Sequence, residues 1–487
     1  MKSIVLIQPK GGGFDLLGAR IPIGLLTISA RLKNEGYKIR IIDQRLDSNW
    51  ENTLLESLKS NPICVGVTCM TGRQIGPALK ASKLSKLNSK SPVVWGGVHA
   101  STLPHQTIQN KYIDMVVIGE GELTFYELIK SLENGHNLKS INGLIYKNQG
   151  EIHQNSPREF IKDLDQSPDL PYELVDVNKY SSINLEEGGK SLDFVSSRGC
   201  PFKCSFCYNL EFNKQRWRAM SAKETIKRVT DLVRKYNLKT IYFQDDNFCV
   251  NIERLKEILR GIIKNKLNIT WGTLGLRVDT AMRMDDETFK LMYDSGCRNV
   301  DIGAESGSDR ILQLIDKGIK IEDLLSVNQR LAKYPFIVKY TFIIGFPGET
   351  EEENMQTVKI AKRLVKENSK AYTPFAVYAP YPGTKMHRTA IKYGFVPPKS
   401  LEEWAIFNPE EWFNNFNSWL KKSEISRLRS IAFTSMFSNK NIKYKINSPF
   451  IKLLFNIYYP LAKLRFYKDF HMFPIEFWLS KKLVFKV

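Results

Sequence analysis

Three cysteines fall within eight residues, at Cys200, Cys204 and Cys207. Their C-x3-C-x2-C spacing puts three thiolates on one short loop, a donor set suited to a soft metal centre. Three thiolates can hold three irons of a four-iron cluster, whereas most such clusters take a fourth cysteine. Leaving the fourth out keeps one iron open to a ligand from outside. Structural zinc is the competing reading. It needs four tetrahedral ligands in paired spacings, and no second C-x2-C or H-x3-H pair is present. Cys64, Cys69, Cys249 and Cys297 are scattered and read as small buried hydrophobes without chemistry. Seven cysteines so arranged do not make an extracellular disulfide framework.

Positioning such a loop requires a rigid scaffold. Short apolar runs at residues 194–197, 240–244, 269–274, 299–303, 338–344 and 372–378 alternate with amphipathic helical stretches. Six β/α units make a partial barrel, whose chemistry gathers at the carboxyl ends of the strands. The cysteine loop follows the first of them. Upstream, strand-like runs at 4–8, 38–43, 63–68, 93–96 and 115–119 also alternate with helices. Val, Ile and Leu runs of this kind form a parallel sheet buried on both faces, in a doubly wound, Rossmann-like α/β domain that binds ligands at its carboxyl edge. The reading divides the chain into a ligand-binding domain (1–145), a Pro- and Gly-bearing linker (146–190), the partial barrel (191–400) and a C-terminal, mainly helical segment (401–487).

Arg198-Gly199-Cys200-Pro201-Phe202-Lys203-Cys204-Ser205-Phe206-Cys207-Tyr208 resembles the signature of the radical S-adenosylmethionine (SAM) superfamily, with the aromatic Phe206 before the last cysteine. The resemblance spans about residues 192–384. It implies a [4Fe-4S] cluster whose open iron chelates SAM, and an electron that breaks the sulfonium C–S bond to give a 5′-deoxyadenosyl radical. The cofactor then carries the hard chemistry and the barrel orients it. Phe206 and Tyr208 would flank the cluster. Asp245 and Asp246 would meet the SAM amine, Arg277 its carboxylate, and Glu305 and Ser306 the ribose hydroxyls. The alternative for these acids and for the glycines after the strands is capping and turn formation.

The first domain resembles the cobalamin-binding (B12) domain fused to such barrels. The matching pieces follow strands: Thr68 and Met70 with the loop to Gly72, then Gly96, Gly97 and His99, then Gly119, Glu120 and Gly121. Glycines there let backbone approach a nucleotide tail; tight turns are the other reading. Gly11-Gly12-Gly13 is not a G-x-G-x-x-G opening a helix, so a dinucleotide is disfavoured. The D-x-H-x-x-G motif that supplies a lower cobalt ligand is absent, and residues 9–20 hold no histidine. The implied cobalt therefore has no protein histidine below it, with Met70-Thr71-Gly72-Arg73 screening that face. His99 is a tail contact or an ordinary loop histidine.

The resemblance implies a C-methyltransferase acting on an unactivated carbon of a lipid or other secondary metabolite, served by a flavodoxin- or ferredoxin-type electron donor. A cyclase or ring-rearranging enzyme of the same group is the alternative. A tRNA methylthiotransferase needs three more N-terminal cysteines where only Cys64 and Cys69 stand, which disfavours nucleic acid as a partner. A non-catalytic cobalamin sensor would not need a reducible cluster.

The 487 residues carry a net charge of +20, which suits an anionic partner. The opening apolar run is short and lacks a cleavage site. No run of about 18 apolar residues occurs, so the expected location is the cytoplasm. Residues 440–487 hold ten Lys/Arg against Asp469 and Glu476. Mixed with Phe, Tyr and Trp, this composition fits either peripheral contact with the inner face of the membrane or a helical cap on the barrel with a solvated basic face.

Overall fold

Runs of Val, Ile and Leu too short for helices build the first sheet. In the computed structural model, which describes residues 2–11, 19–180, 190–407, 417–440 and 449–471, these runs are β1 (Ser3–Gln8), β2 (Lys38–Asp43), β3 (Val65–Thr68), β4 (Val93–Gly96) and β5 (Met115–Val117). All five pair in parallel, in the order β2-β1-β3-β4-β5. That order reverses at β1/β3, the switch point where doubly wound sheets bind ligands. Ile4, Leu6, Leu25, Leu32, Phe125 and Leu128 form the core beneath.

Two features depart from the sequence reading. The segment assigned to a linker from residue 146 begins as an antiparallel hairpin, β6 (Leu144–Asn148) and β7 (Glu151–Gln154), that extends the sheet. Its two-residue turn has Gln149 and Gly150 at φ 50° and 87°, the type I′ geometry that matches strand twist. Secondly, residues 397–407 cluster with the first unit and not with the rest of the C-terminal segment. There the helix Leu401–Ile406 lies on the helix Ile75–Asn88, and the absent side chain of Gly76 lets Ala405 come close.

The second unit begins with β8 (Ser191–Phe194) and the short β9 (Ser197–Arg198), which pairs with β10 (Arg218–Ala219). The main strands follow as β11 (Thr240–Phe243), β12 (Thr270–Leu276), β13 (Cys297–Glu305), β14 (Ile337–Ile344), β15 (Ala371–Tyr372) and β16 (Phe375–Val377). The parallel order is β15-β14-β13-β12-β11-β8, with β16 also on β14. This is the expected partial, TIM-like barrel. The run expected as one strand at 372–378 is broken at Pro374, which has no N–H to donate, while its carbonyl accepts from Phe342 N. Helices between the strands carry side-chain and left-handed caps. Ser221 accepts from Glu224 N to open Ala222–Tyr236, and Asn237 closes it with φ 51°.

Two further helices, Lys422–Phe437 and Pro449–Tyr467, pack together through Phe433, Phe437, Phe455 and Tyr458. Phe466 reaches Phe375 of β16. Among the described residues no helix is long and apolar enough to cross a membrane. The loop glycines Gly12 and Gly13, and Phe473, Phe477, Trp478, Lys481 and Lys482 of the tail, lie outside the described residues.

Candidate cofactor sites

The cysteine loop leaves the carboxyl end of β8 through Ser196 and Ser197. Asp245, at the end of β11 and 1% exposed, accepts from Ser196 N (3.1 Å), Ser196 Oγ (2.8 Å) and Ser197 Oγ. Burial raises its pKa, with the two serines pulling against that shift. Asp246 closes the loop from the other side, accepting from Gly199 N (2.9 Å) and Tyr208 Oη (3.1 Å), one residue beyond each end of the cysteine triplet. Gly199 has φ 81°, and a Cβ there would meet the Arg216 carbonyl. Only glycine fits.

The three thiols are free, and two of them accept hydrogen bonds from side chains. Arg277 Nη1 donates to Cys204 Sγ at 3.2 Å and Asn247 Nδ2 to Cys200 Sγ at 3.7 Å. Burial pushes the Cys207 thiol up to about 12 and raises that of Cys200 as well, so thiolates here need a neighbouring cation. Among the described residues no three Cys, His, Asp or Glu side chains are already gathered at metal-binding spacing. The soft donor set, the glycine-tight loop and the N–H groups aimed at sulfur nevertheless fit an iron–sulfur cluster.

Of the residues expected around SAM, Asp246 is the most exposed. Arg277 is 8% exposed and engaged on every side: Asp279 and the Lys317 carbonyl take its other N–H groups, and the Phe202 ring lies 3.8 Å from its guanidinium carbon. Its Nη1 lies against the cysteine loop. Glu305, at the end of β13 with φ 66°, pairs with Lys317 at 2.7 Å; both side chains are buried. Ser306 is fully buried and bonds Ser308 N and Thr357 Oγ1, the capping and turn alternative. Phe206 packs on Phe346 at 6.0 Å. Beside it Glu349 accepts from Gly345 N and Phe346 N, and burial pushes its carboxyl up to about 8.

In the first unit, Thr68, Gly96 and Gly119 stand at or just beyond the carboxyl ends of β3, β4 and β5. Gly97 has φ 91°, and a Cβ would sit 2.8–2.9 Å from Cys69 backbone and Thr68 Oγ1. This is a cradle closed to any side chain. Met70 is 52% exposed, with its N–H held by Gln74. Gly119 N donates to Ser101 Oγ, Gly121 abuts Ile28, and Glu120 turns back to accept from Ile161 N. His99 is fully buried. Its Nδ1 bonds Thr71 Oγ1 at 3.1 Å, its ring edge meets Trp404 at 5.7 Å, and burial lowers its pKa to about 4. It holds Thr71 of the 70–73 loop through Nδ1, while its Nε2 is buried without a hydrogen-bond partner.

Residues 194–361 match the profile of the radical SAM superfamily, and residues 15–129 that of the B12 binding domain. An uncharacterized methyltransferase of Pyrococcus horikoshii is 32% identical over 450 residues, 91% of this chain and 94% of its own. The chain belongs to the B12-binding radical SAM family. Cytidylyl-2-hydroxyethylphosphonate methyltransferase of Streptomyces wedmorensis is 25% identical to this radical SAM protein, over 82% of this chain and 83% of its own. The fold also matches the cobalamin-dependent SAM radical enzyme OxsB, with a TM-score of 0.72 and 18% identity over 99% of this chain and 75% of that one.

Sequence reasoning about this radical SAM protein missed three participants. Asn247 was visible beside Asp245 and Asp246 but had no assigned role. Lys317 and Asp279 sit in segments without periodicity or motif, and only the fold brings them to Glu305 and Arg277.

Proposed function

We propose that this chain is a SAM- and cobalamin-dependent C-methyltransferase. Its substrate would be a small molecule or lipid met at an unactivated carbon, and its electron donor of flavodoxin or ferredoxin type. The observation that carries the reading is the Asp245/Asp246-clamped cysteine loop, with side-chain N–H groups aimed at two of its sulfurs, in a chain that also matches the B12 binding domain. In this reading Cys200, Cys204 and Cys207 hold the cluster, Asp246 faces the SAM amine, and the carboxyl edge at Thr68, Gly96, Gly97 and Gly119 holds cobalamin. When bound, the cluster supplies an electron to the SAM sulfonium and cobalamin carries the methyl group. The protein's own part is positional. Asp245 and Asp246 fix the loop, Arg277 and Asn247 would offset charge on cluster-bound sulfurs, and His99 steadies Thr71 in the loop after β3.

The test is anaerobic purification and reconstitution of the full chain. About four irons and one cobalt per chain, with S-adenosylhomocysteine and 5′-deoxyadenosine both released from SAM under reducing conditions, support the proposal. Iron without cobalt overturns the methyl-transfer reading.

A further inference from the structure

The helix Pro449–Tyr467 is apolar on two opposite faces. One face, with Phe455, Ala462 and Phe466, is buried against its own unit. The other carries Leu453, Ile457, Leu461 and Leu464, at i, i+4, i+8 and i+11, with exposures of 56, 69, 49 and 58%. At 3.6 residues per turn these four share one strip roughly 80° wide on a helix about 28 Å long. Tyr467, also exposed, ends the helix. Single exposed hydrophobes are ordinary; a continuous ridge of them is a contact surface.

The charges beside the ridge say what it meets. Lys452, Lys463 and Lys468 are exposed along it, and the helix contains no acid. The next acid, Asp469, is paired with Lys362. A second copy laid on this ridge would bring lysines against lysines, and the 472–487 segment adds Lys481, Lys482 and Lys486 against Glu476 alone. Neither is complementary. An anionic bilayer is, since its headgroups take the lysines while its acyl boundary takes Leu and Ile. We propose that this helix lies in the plane of an anionic membrane surface, ridge inward, without crossing it.

The experiment is flotation of the full chain with phosphatidylglycerol/phosphatidylcholine vesicles and with phosphatidylcholine alone. Binding to the anionic vesicles should be released by high salt. It should weaken at least about tenfold in the double variant Ile457→Glu/Leu464→Glu, and also in Lys452→Ser/Lys463→Ser. Both variants replace exposed side chains, and unchanged thermal melting confirms that they fold. A wild type that stays with the unbound fraction overturns the proposal, as does vesicle binding indifferent to these substitutions. A dimer that the glutamate variant dissociates would assign the ridge to a second copy. Vesicle binding that appears only after removal of residues 472–487 would assign it to that segment. Flotation needs no loaded cofactor, so its failure leaves the methyl-transfer reading untouched.

Discussion

Arg277 joins Cys204, Asp279 and the Lys317 carbonyl in one cluster of hydrogen bonds, so its loss would be felt at the metal. A charge-assisted hydrogen bond contributes about 1.5–3 kcal/mol. Arg277→Gln should therefore make the reconstituted cluster harder to reduce, by up to roughly 130 mV, while iron content stays near wild type. A reductive titration followed by electron paramagnetic resonance reads the shift, and an unchanged potential refutes the role. The Glu305–Lys317 pair has a different consequence. Lys317→Met strands a buried carboxylate, at a cost of about 3–5 kcal/mol, visible as a lower Tm with the fold otherwise intact. Glu349 gives a pH signature. Its folded pKa of about 8 lies above the unfolded value of about 4.3. Between those values the folded chain keeps a proton that the unfolded chain has released, so this group's contribution to stability falls as pH rises through the window. Glu349→Gln should match wild type near pH 5 and exceed it by on the order of 2–4 kcal/mol at pH 9. Urea unfolding at the two pH values decides; an equal difference at both refutes the assignment.

At the scale of elements, the turns after parallel strands are the parts least tolerant of change. Gly97→Ala forces a side chain into the Cys69 backbone at positive φ and should cost about 1–3 kcal/mol or more. Cobalamin absorbance titration should show weakened binding together with the lower Tm. Such turns were legible in the sequence because glycine at a strand end has a physical meaning, and so were the strands, because buried parallel strands are continuous apolar runs. The cysteine loop was legible for a similar reason, since its chemistry depends on local spacing. What stayed hidden is tertiary pairing. Nothing local marks Lys317 as the partner of Glu305, or Trp404 as the ring that meets His99. The resemblance implied Arg277 for the SAM carboxylate, but nothing local showed that its Nη1 would lie against Cys204 Sγ. The hairpin at 144–154 was hidden by its prolines downstream, although Gln149-Gly150 is a turn signal.

For the whole molecule, the return of residues 397–407 to the first unit is the feature with most weight. Trp404 is 1% exposed and donates from Nε1 to Gln106 Oε1 at 2.7 Å. Trp404→Ala should cost about 3–5 kcal/mol and open the first unit to proteolysis before the second, as fragments mapped over a digestion course would show. This arrangement also imposes a schedule on the ribosome. The surface of the helix Ile75–Asn88 that receives the helix Leu401–Ile406 must wait while roughly three hundred intervening residues are translated, on the order of 15–60 s. During that interval the nascent first unit exposes an unfinished apolar seam, which makes it a client for chaperones and ties its maturation to completion of the barrel that follows it.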